Sequence, residues 1–241
     1  MALMLPSFSI PREQSKWIYG IEECGTMNTF SEYCFQMLAK QKPFGWPDQL
    51  EKSPVTDADI RTAEANWGFS FPTDFKEFLK SYILPDPTVV YGTFFSEYTD
   101  CWPGGGMTYS HELDRYLQWE EIPEDQETCV LKFILDGLER IADTSEHSLQ
   151  ENIERLSWTK TAPQGYIFTG SFADNLIFLE CETGKIVYVD HDFYTMSHQT
   201  EIENVKEYKQ LLFHNFSDML KCLFLGAVCN AETAELEPGL A

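Results

Sequence analysis

The chain has 241 residues, of which 43% are hydrophobic and 15% aromatic, enough for one core with an extension or for two small domains. Its 39 acidic and 17 basic residues give a formal net charge of −22, which repels nucleic-acid phosphates and anionic membranes and attracts basic partners. Its apolar runs are far shorter than the roughly 20 residues that a transmembrane helix needs, and no signal peptide is recognisable.

Residues 1–52 are predicted to form an amino-terminal extension. From Met27 to Lys40, apolar side chains recur at steps of three and four residues, which predicts an amphipathic helix. The stretch 41–47 contains two prolines and a glycine, so it breaks this helix and serves as a connector. The domain itself is therefore expected to begin at residue 53.

Two short helices are predicted to open this domain. Thr56 or Asp57 caps the first helix, and Gly68 closes it in the left-handed conformation. The second helix starts at Pro72 and ends before Pro85. Its single apolar face is formed by Phe75, Phe78, Leu79 and Tyr82. We therefore expect the phenylalanines of this face to be buried in the core.

Strand patterns follow in the middle and in the last third of the chain. A run of β-branched and aromatic residues predicts a strand from Val89 to Phe95, whereas residues 129–135 fit either a strand or a helix. Three further strands are predicted at 165–168, 175–180 and 185–190. Thr183-Gly184 predicts a hairpin turn between the last two of these strands.

The carboxy-terminal part is predicted to contain one helix and a tail. Apolar residues recur at helical spacing from Phe213 to Leu225, which predicts the helix. Residues 227–241 after it, which are polar from Ala231 onwards, are predicted to form a flexible tail.

The negative charge is concentrated in the middle of the chain. Between Asp86 and Glu151, fifteen carboxylates face three basic residues, a local balance of −12. Five carboxylates lie within eight positions beside Trp119, namely Glu120, Glu121, Glu124, Asp125 and Glu127. Like charges at this density repel one another unless a cation or a basic partner relieves them. We therefore predict that these residues bind a partner, with an acidic solvated loop as the alternative.

Asp190-His191-Asp192 is the sequence most suggestive of a metal site. Alternation along a strand places the two aspartates on one side, as in a pair of ligands for a hard cation. No second group of ligands is identifiable, so we predict no metal and assign Asp190 and Asp192 to the partner-binding set instead.

No pattern in the sequence identifies a catalytic residue or a cofactor site. The chain lacks a Gly-x-Ser-x-Gly nucleophile elbow, and its glycine triplet is not followed by the Lys-Ser/Thr of a phosphate-binding loop. Catalytic triads assemble from distant positions, so an enzyme stays an alternative to be tested. Seven irregularly spaced cysteines without a Cys-x-x-Cys pair are typical of reduced cytosolic thiols, and we expect a cytoplasmic protein.

Several motifs resemble the SUKH superfamily when they are taken in order. The opening helices carry Asp59-Ile60, Ala63-Glu64, Trp67-Gly68-Phe69, Phe71-Pro72 and Asp74 to Leu79. The later signature is present as Gly165 to Phe168, Asp174 to Leu179, Thr183 to Tyr188, Asp190-His191-Asp192 and Phe213 to Leu223. In place of the Asn-Gly-Gly turn usual in the family, this chain has Tyr82 to Pro87, and its acidic middle segment is longer.

The resemblance spans Val55 to Leu225 and carries implications for fold and function. It implies a single α+β domain over residues 53–226, with a mixed or mostly antiparallel sheet flanked by helices and no active site. The superfamily joins a fungal cell-wall synthesis regulator with many bacterial immunity proteins, which bind a cognate toxin, often a nuclease. The chain is thus expected to be an immunity protein that neutralises a basic toxin. A regulatory interaction module in signalling or cell-wall control is the alternative.

Overall fold

The computed structural model describes residues 29–41, 47, 49–85, 87–95, 109–110, 115–116, 128–135, 165–173, 175–190 and 209–237. The helices of these ranges are α1 (Phe30–Gln41), α2 (Asp57–Trp67), α3 (Thr73–Ser81) and α4 (Phe216–Leu225). The strands are β1 (Thr88–Phe95), β2 (Tyr109–Ser110), β3 (Arg115–Tyr116), β4 (Thr128–Leu135), β5 (Tyr166–Phe172), β6 (Asn175–Glu180), β7 (Lys185–Val189), β8 (Lys209–Phe213), β9 (Val228–Asn230) and β10 (Leu236–Glu237).

Eight of these strands form one sheet in the order β10-β9-β1-β4-β5-β6-β7-β8, and β2 pairs separately with β3. Neighbouring strands of the large sheet are antiparallel, except β1 and β9, which run parallel. Among the described elements, α1 to α3 precede all of the strands, and α4 lies between β8 and β9. The predicted α+β class with a mixed, mostly antiparallel sheet flanked by helices is therefore confirmed.

The sheet curls around α4, which contacts β1, β7 and β8. The curl brings the inner faces of β1 and β8 together, so that the ring centroids of Phe94 and Phe213 lie 5.9 Å apart. Gly92 lets α4 approach β1 closely, because a Cβ at this position would lie 2.8 Å from Cδ2 of Leu223. The main core fills the space between this inner face and the helices.

The two predicted opening helices are confirmed as α2 and α3. Thr56 caps α2 through a capping box with Asp59, and Gly68 ends it at φ 80°. On α3, Phe75 and Phe78 are 0% and 2% exposed, which confirms that they are core residues. These local signals lie within the helices they define, which is why the sequence alone locates both helices.

A hydrogen-bonded aspartate joins α3 to α4. Asp74 Oδ2 accepts hydrogen bonds from the backbone N–H of Ser217 at 2.9 Å and from its hydroxyl at 3.1 Å. Phe75 packs edge-on against Phe216 at the same place, with ring centroids 5.0 Å apart. The first turns of the two helices are therefore held together by polar and apolar contacts.

The structure adds strands that the periodicity does not predict. Residues 129–135, which fit either a strand or a helix, belong to β4. Phe213 lies in β8 and not in the last helix, because Asn215 caps α4 and accepts a hydrogen bond from the N–H of Asp218. Within the range predicted as a flexible tail, β9 and β10 extend the sheet, and Cys229 of β9 is fully buried.

Candidate partner-binding surface

Of the seven carboxylates predicted to bind a partner, the described part of the chain contains Asp190. This residue is half-buried and directly follows the last residue of β7. The other six lie outside the described residues, and they are Glu120, Glu121, Glu124, Asp125, Glu127 and Asp192.

The charge of the chain is divided unevenly between the described ranges and the rest. The described residues hold fourteen of the 39 acidic and ten of the 17 basic residues, and so carry a formal charge of −4. The remaining residues carry −18. All fifteen carboxylates between Asp86 and Glu151 belong to this remainder. The described scaffold is therefore close to balanced, and the acidity belongs to the segments that join its elements or flank them.

Two of these acidic segments follow strands that run in the same direction. The strands from β4 to β7 alternate in direction, so β1, which ends at Phe95, and β7, which ends at Val189, point the same way in the sheet. Phe95 pairs with Thr128, the residue after Glu127, and Val189 pairs with Lys209. The two strand ends are not level with each other, because Val189 is aligned through Leu176 and Ser171 with Ile134, six residues along β4 from Thr128. Thr128 and Val189 are therefore separated by roughly 20 Å along the strand direction and by two strands across the sheet.

A polar cluster, which we call the Glu180 network, lies on the outer face of the sheet, away from α4. Glu180 accepts hydrogen bonds from the hydroxyls of Tyr166 at 2.7 Å and Thr183 at 2.6 Å. Lys209 forms an ion pair with Glu180, and its ammonium also donates to the Tyr166 hydroxyl at 3.0 Å. The strand register explains the meeting of two of these groups, because Tyr166 and Glu180 are directly opposite on β5 and β6.

The electrostatics of this network keep its carboxylate charged. Burial raises the pKa of Glu180, but hydrogen bonds from Lys209, Thr183 and Tyr166 outweigh it and bring the pKa to about 2. Burial lowers the pKa of Lys209, but its hydrogen bonds to Glu180 and Tyr166 raise it above the usual value overall. A carboxylate with so low a pKa is a poor general base near neutral pH, and its hydrogen bonds and ion pair hold the surrounding strands together.

Apolar side chains surround the Glu180 network on the same face. A second buried cluster contains Phe178, Val187 and Val189 together with the ring of Tyr166, and Phe168 and Leu176 pack against it. Lys209 lies over the Tyr166 ring, with 5.5 Å between its ammonium and the ring centroid. The network thus fixes β8 across β5, β6 and β7.

The Glu180 network is not recognisable from the sequence. The hairpin turn at Thr183-Gly184 predicts that β6 and β7 pair, and this pairing is confirmed. Lys209, however, belongs to β8, a strand that no sequence pattern predicts. Its distance of 29 residues from Glu180 carries no periodic signal that could have connected the two.

Carboxylates, thiols and imidazoles are the side chains that most often bind metals or act in catalysis. Within them, no three His, Cys, Asp or Glu side chains are grouped so that they could hold a metal ion. Burial raises the pKa of the thiols of Cys34, Cys129, Cys181 and Cys229 to about 12, so almost none is present as the nucleophilic thiolate near neutral pH. The described ranges include one histidine, His214, which is exposed. Its Nε2 lies 2.8 Å from the carbonyl oxygen of Thr233.

None of the helices in the described ranges is both long and apolar enough to span a membrane.

Comparisons with known proteins identify the family. Searches among curated proteins and among solved structures find no match to the chain. Residues 54–222 match the SMI1 / KNR4 family (SUKH-1), a range that runs from just before α2 into α4 and covers more than half of the chain. The chain therefore belongs to the SMI1 / KNR4 family (SUKH-1).

Proposed function

We propose that this chain is a non-enzymatic, cytoplasmic immunity protein that binds and neutralises a basic toxin domain. Membership of the SMI1 / KNR4 family supports a protein-interaction domain, either an immunity protein or a cell-wall regulator. The toxin-binding role and the choice of a basic partner go further than the family membership, and they rest on the charge distribution.

The observation that carries the proposal is the separation between a nearly balanced scaffold and acidic connecting segments. The described residues carry −4 and the remainder −18. A charge that served only solubility has no reason to be concentrated between Asp86 and Glu151. We therefore assign the partner-binding role to this segment and to Asp190 and Asp192.

A toxin of the nuclease type is a fitting partner because its chemistry demands a basic surface. Such an enzyme binds phosphates through Lys and Arg, and a carboxylate-rich protein can occupy the same groups. Complementary charge mainly accelerates association, with rate constants of about 10⁸ to 10⁹ M⁻¹s⁻¹ at low salt against about 10⁵ to 10⁶ for neutral pairs. The carboxylates around Glu121 and Glu124 are the groups we expect to steer the encounter.

The decisive experiment is co-expression of the chain with the toxin encoded beside its gene. We expect growth to be rescued and a complex to elute on gel filtration. Failure to rescue growth, together with the absence of a complex, would contradict the immunity role. The regulatory interaction module would then become the better explanation of the family membership.

A kinetic experiment tests the electrostatic part separately. The double variant Glu121→Lys/Glu124→Lys is expected to slow association by about tenfold at low salt while dissociation changes less. Glu51→Lys/Glu182→Lys is the matched control, since it makes the same change in net charge at two exposed positions of the described scaffold. Equal slowing by both double variants would show that only total charge matters, and the site assignment would be wrong.

A further inference from the structure

The outer face of the sheet, which points away from α4, is buried over one pair of strands and accessible over another. On β6 and β7, the outer-face residues Phe178, Val187 and Val189 are 1% to 3% exposed. On β1 and β4, buried core positions alternate with half-buried ones, and at Ile134 the exposed fraction rises to 37%. Strand alternation places Ile134 and these half-buried residues on the outer face. Apolar side chains over β1 and β4 are therefore accessible to a partner.

The strand register brings the accessible side chains of β1, β4 and β9 together. Val89 of β1 lies directly opposite Ile134 of β4, and Thr93 of β1 lies between Val130 of β4 and Val228 of β9. A third pair, from β1 and β4, lies between these two rows. We call this surface the β1–β4 outer patch, and it consists mainly of Val89, Tyr91, Val130, Lys132, Ile134 and Val228. Contiguous accessible apolar surface marks interaction sites, whereas isolated exposed apolar side chains do not.

The acidic segment 117–127 is connected at both of its ends to the strands around this patch. It begins after β3, which pairs with β2, and β2 contacts β4. It ends at Thr128, the first residue of β4, two residues before Val130. Five carboxylates assigned to partner binding lie in this segment, between Glu120 and Glu127. A basic partner that these carboxylates attract is therefore brought towards the strand that carries Val130 and Ile134.

Charge makes a second copy of this chain a poor occupant of the patch. A symmetric dimer through the patch would place the same surface of both chains face to face. Each chain carries a formal net charge of −22, and the acidic segment next to the patch would then meet its own copy. A basic partner relieves this repulsion instead of adding to it. Cover by the chain itself is disfavoured too, because Ile134 keeps its exposure in the full-length chain.

We propose that the β1–β4 outer patch is the apolar centre of the surface that binds the basic partner. The inference rests on the proposed function and adds the chemistry of the contact: the partner presents apolar side chains surrounded by lysines and arginines. Interfaces combine a buried apolar centre with a polar rim, and the carboxylates of segment 117–127 supply this rim. The two parts act on different rate constants, because complementary charge accelerates association whereas buried contacts slow dissociation.

The test measures association and dissociation between the full-length chain and the purified toxin encoded beside its gene, by surface plasmon resonance. Ile134→Thr keeps the net charge and the β-branched shape of the side chain but places a hydroxyl in the patch. We expect the complex to dissociate at least about fivefold faster, while association changes less than about twofold. Ile83→Thr is the matched control, since it makes the same substitution at a half-buried position just after α3, outside the patch. It should leave both rate constants within about twofold of those of the unchanged chain.

The outcomes separate this inference from the proposed function. Absence of any complex with the unchanged chain would overturn both. A complex from which Ile134→Thr dissociates no faster than Ile83→Thr would overturn this inference alone.

Two measurements without the toxin test the other occupants of the patch. Ile134→Thr should change Tm by less than about 4 °C, and a larger fall would show that the chain itself covers Ile134. Sedimentation velocity should give the unchanged chain and the variant the same oligomeric state. A dimer of the unchanged chain that Ile134→Thr dissociates would show that the patch binds a second copy and would overturn the proposal.

Discussion

Replacing Phe78 by alanine tests whether aromatic core packing holds α3 in place. Phe78 is 2% exposed, and its ring lies within 6.5 Å, centroid to centroid, of four others, those of Phe35, Phe75, Phe216 and Phe224. Truncation of a buried phenylalanine to alanine costs about 3 to 5 kcal/mol, since it loses transfer free energy and leaves a cavity. Because the ring has four aromatic neighbours, we expect Phe78→Ala to cost about 4 to 5 kcal/mol, the upper half of that range.

This cost is large compared with the total stability of a domain, which is about 5 to 15 kcal/mol. For a chain of this size, each kcal/mol lowers Tm by about 2 to 4 °C, so Tm should fall by about 8 to 20 °C. Urea unfolding followed by circular dichroism gives the free energy of unfolding directly. The slope m should stay unchanged, since the variant exposes a similar surface on unfolding.

Ile134→Ala is the matched control, because Ile134 is 37% exposed and stands out as the exposed large hydrophobic residue among those described. It should cost about 1 kcal/mol or less. If Phe78→Ala costs no more than this control, the α3 face is not a core face. Loss of partner binding by Phe78→Ala at unchanged stability would instead identify that face as an interface.

Two further predictions follow from buried groups. Native chain treated with Ellman's reagent at pH 8 should show no more than two reactive thiols, because five of the seven cysteines are buried and their thiol pKa values are raised. Three or more fast-reacting thiols would contradict this prediction. Gly92→Ala should lower the free energy of unfolding by about 1 to 3 kcal/mol, because the added methyl group would collide with Leu223 where β1 contacts α4. Unchanged urea unfolding would refute this close approach of α4 to β1.

The parts of the fold that the sequence predicts are those encoded by neighbouring residues. Thr56 and Gly68 bound α2 through hydrogen bonds within a few positions, and the turn at Thr183-Gly184 brings together two strands that are adjacent in the chain. The strands β8 and β9 are short and find their partners, β7 and β1, at a distance in sequence, whereas β10 has two residues and pairs with β9. Phe213 fits the helical spacing of Phe216 and Leu220, and only the cap at Asn215 and the pairing with β7 separate it from α4.

The candidate partner-binding surface also has one part that the sequence predicts and another that it does not. The sequence shows that carboxylates cluster between Asp86 and Glu151, and the chain topology then gives β1 and β7, which precede two of the acidic segments, the same direction in the sheet. That arrangement depends on the order and direction of strands, which no local pattern encodes. The packing of α1 against α4 likewise requires a contact between Phe35 and Phe224, which are separated by most of the chain.

Acid unfolding is predicted to depend on the Glu180 network. The pKa of this carboxyl is 4.5 ordinarily and about 2 in the folded chain, so the network contributes up to about 3 kcal/mol of stability above pH 4.5. Because the folded pKa is the lower one, this contribution is lost as the pH falls from 4.5 towards 2. In Lys209→Met the carboxylate keeps its burial but loses its cation, so its pKa should rise.

The measurement that checks this prediction is urea unfolding of Lys209→Met and the unchanged chain at several pH values between 7 and 3. At pH 7 the variant should be less stable by about 2 to 3 kcal/mol, below the 3 to 5 typical of a fully buried pair, because 26% of the Lys209 side chain remains exposed. The gap should narrow below pH 4.5, as Glu180 becomes protonated in the unfolded chain and then in the folded one. Lys221→Met removes a more exposed ion pair with Asp218 and should cost under about 1 kcal/mol. A gap for Lys209→Met that stays constant down to pH 3 would mean that Lys209 stabilises β8 through its aliphatic stem and not through its charge.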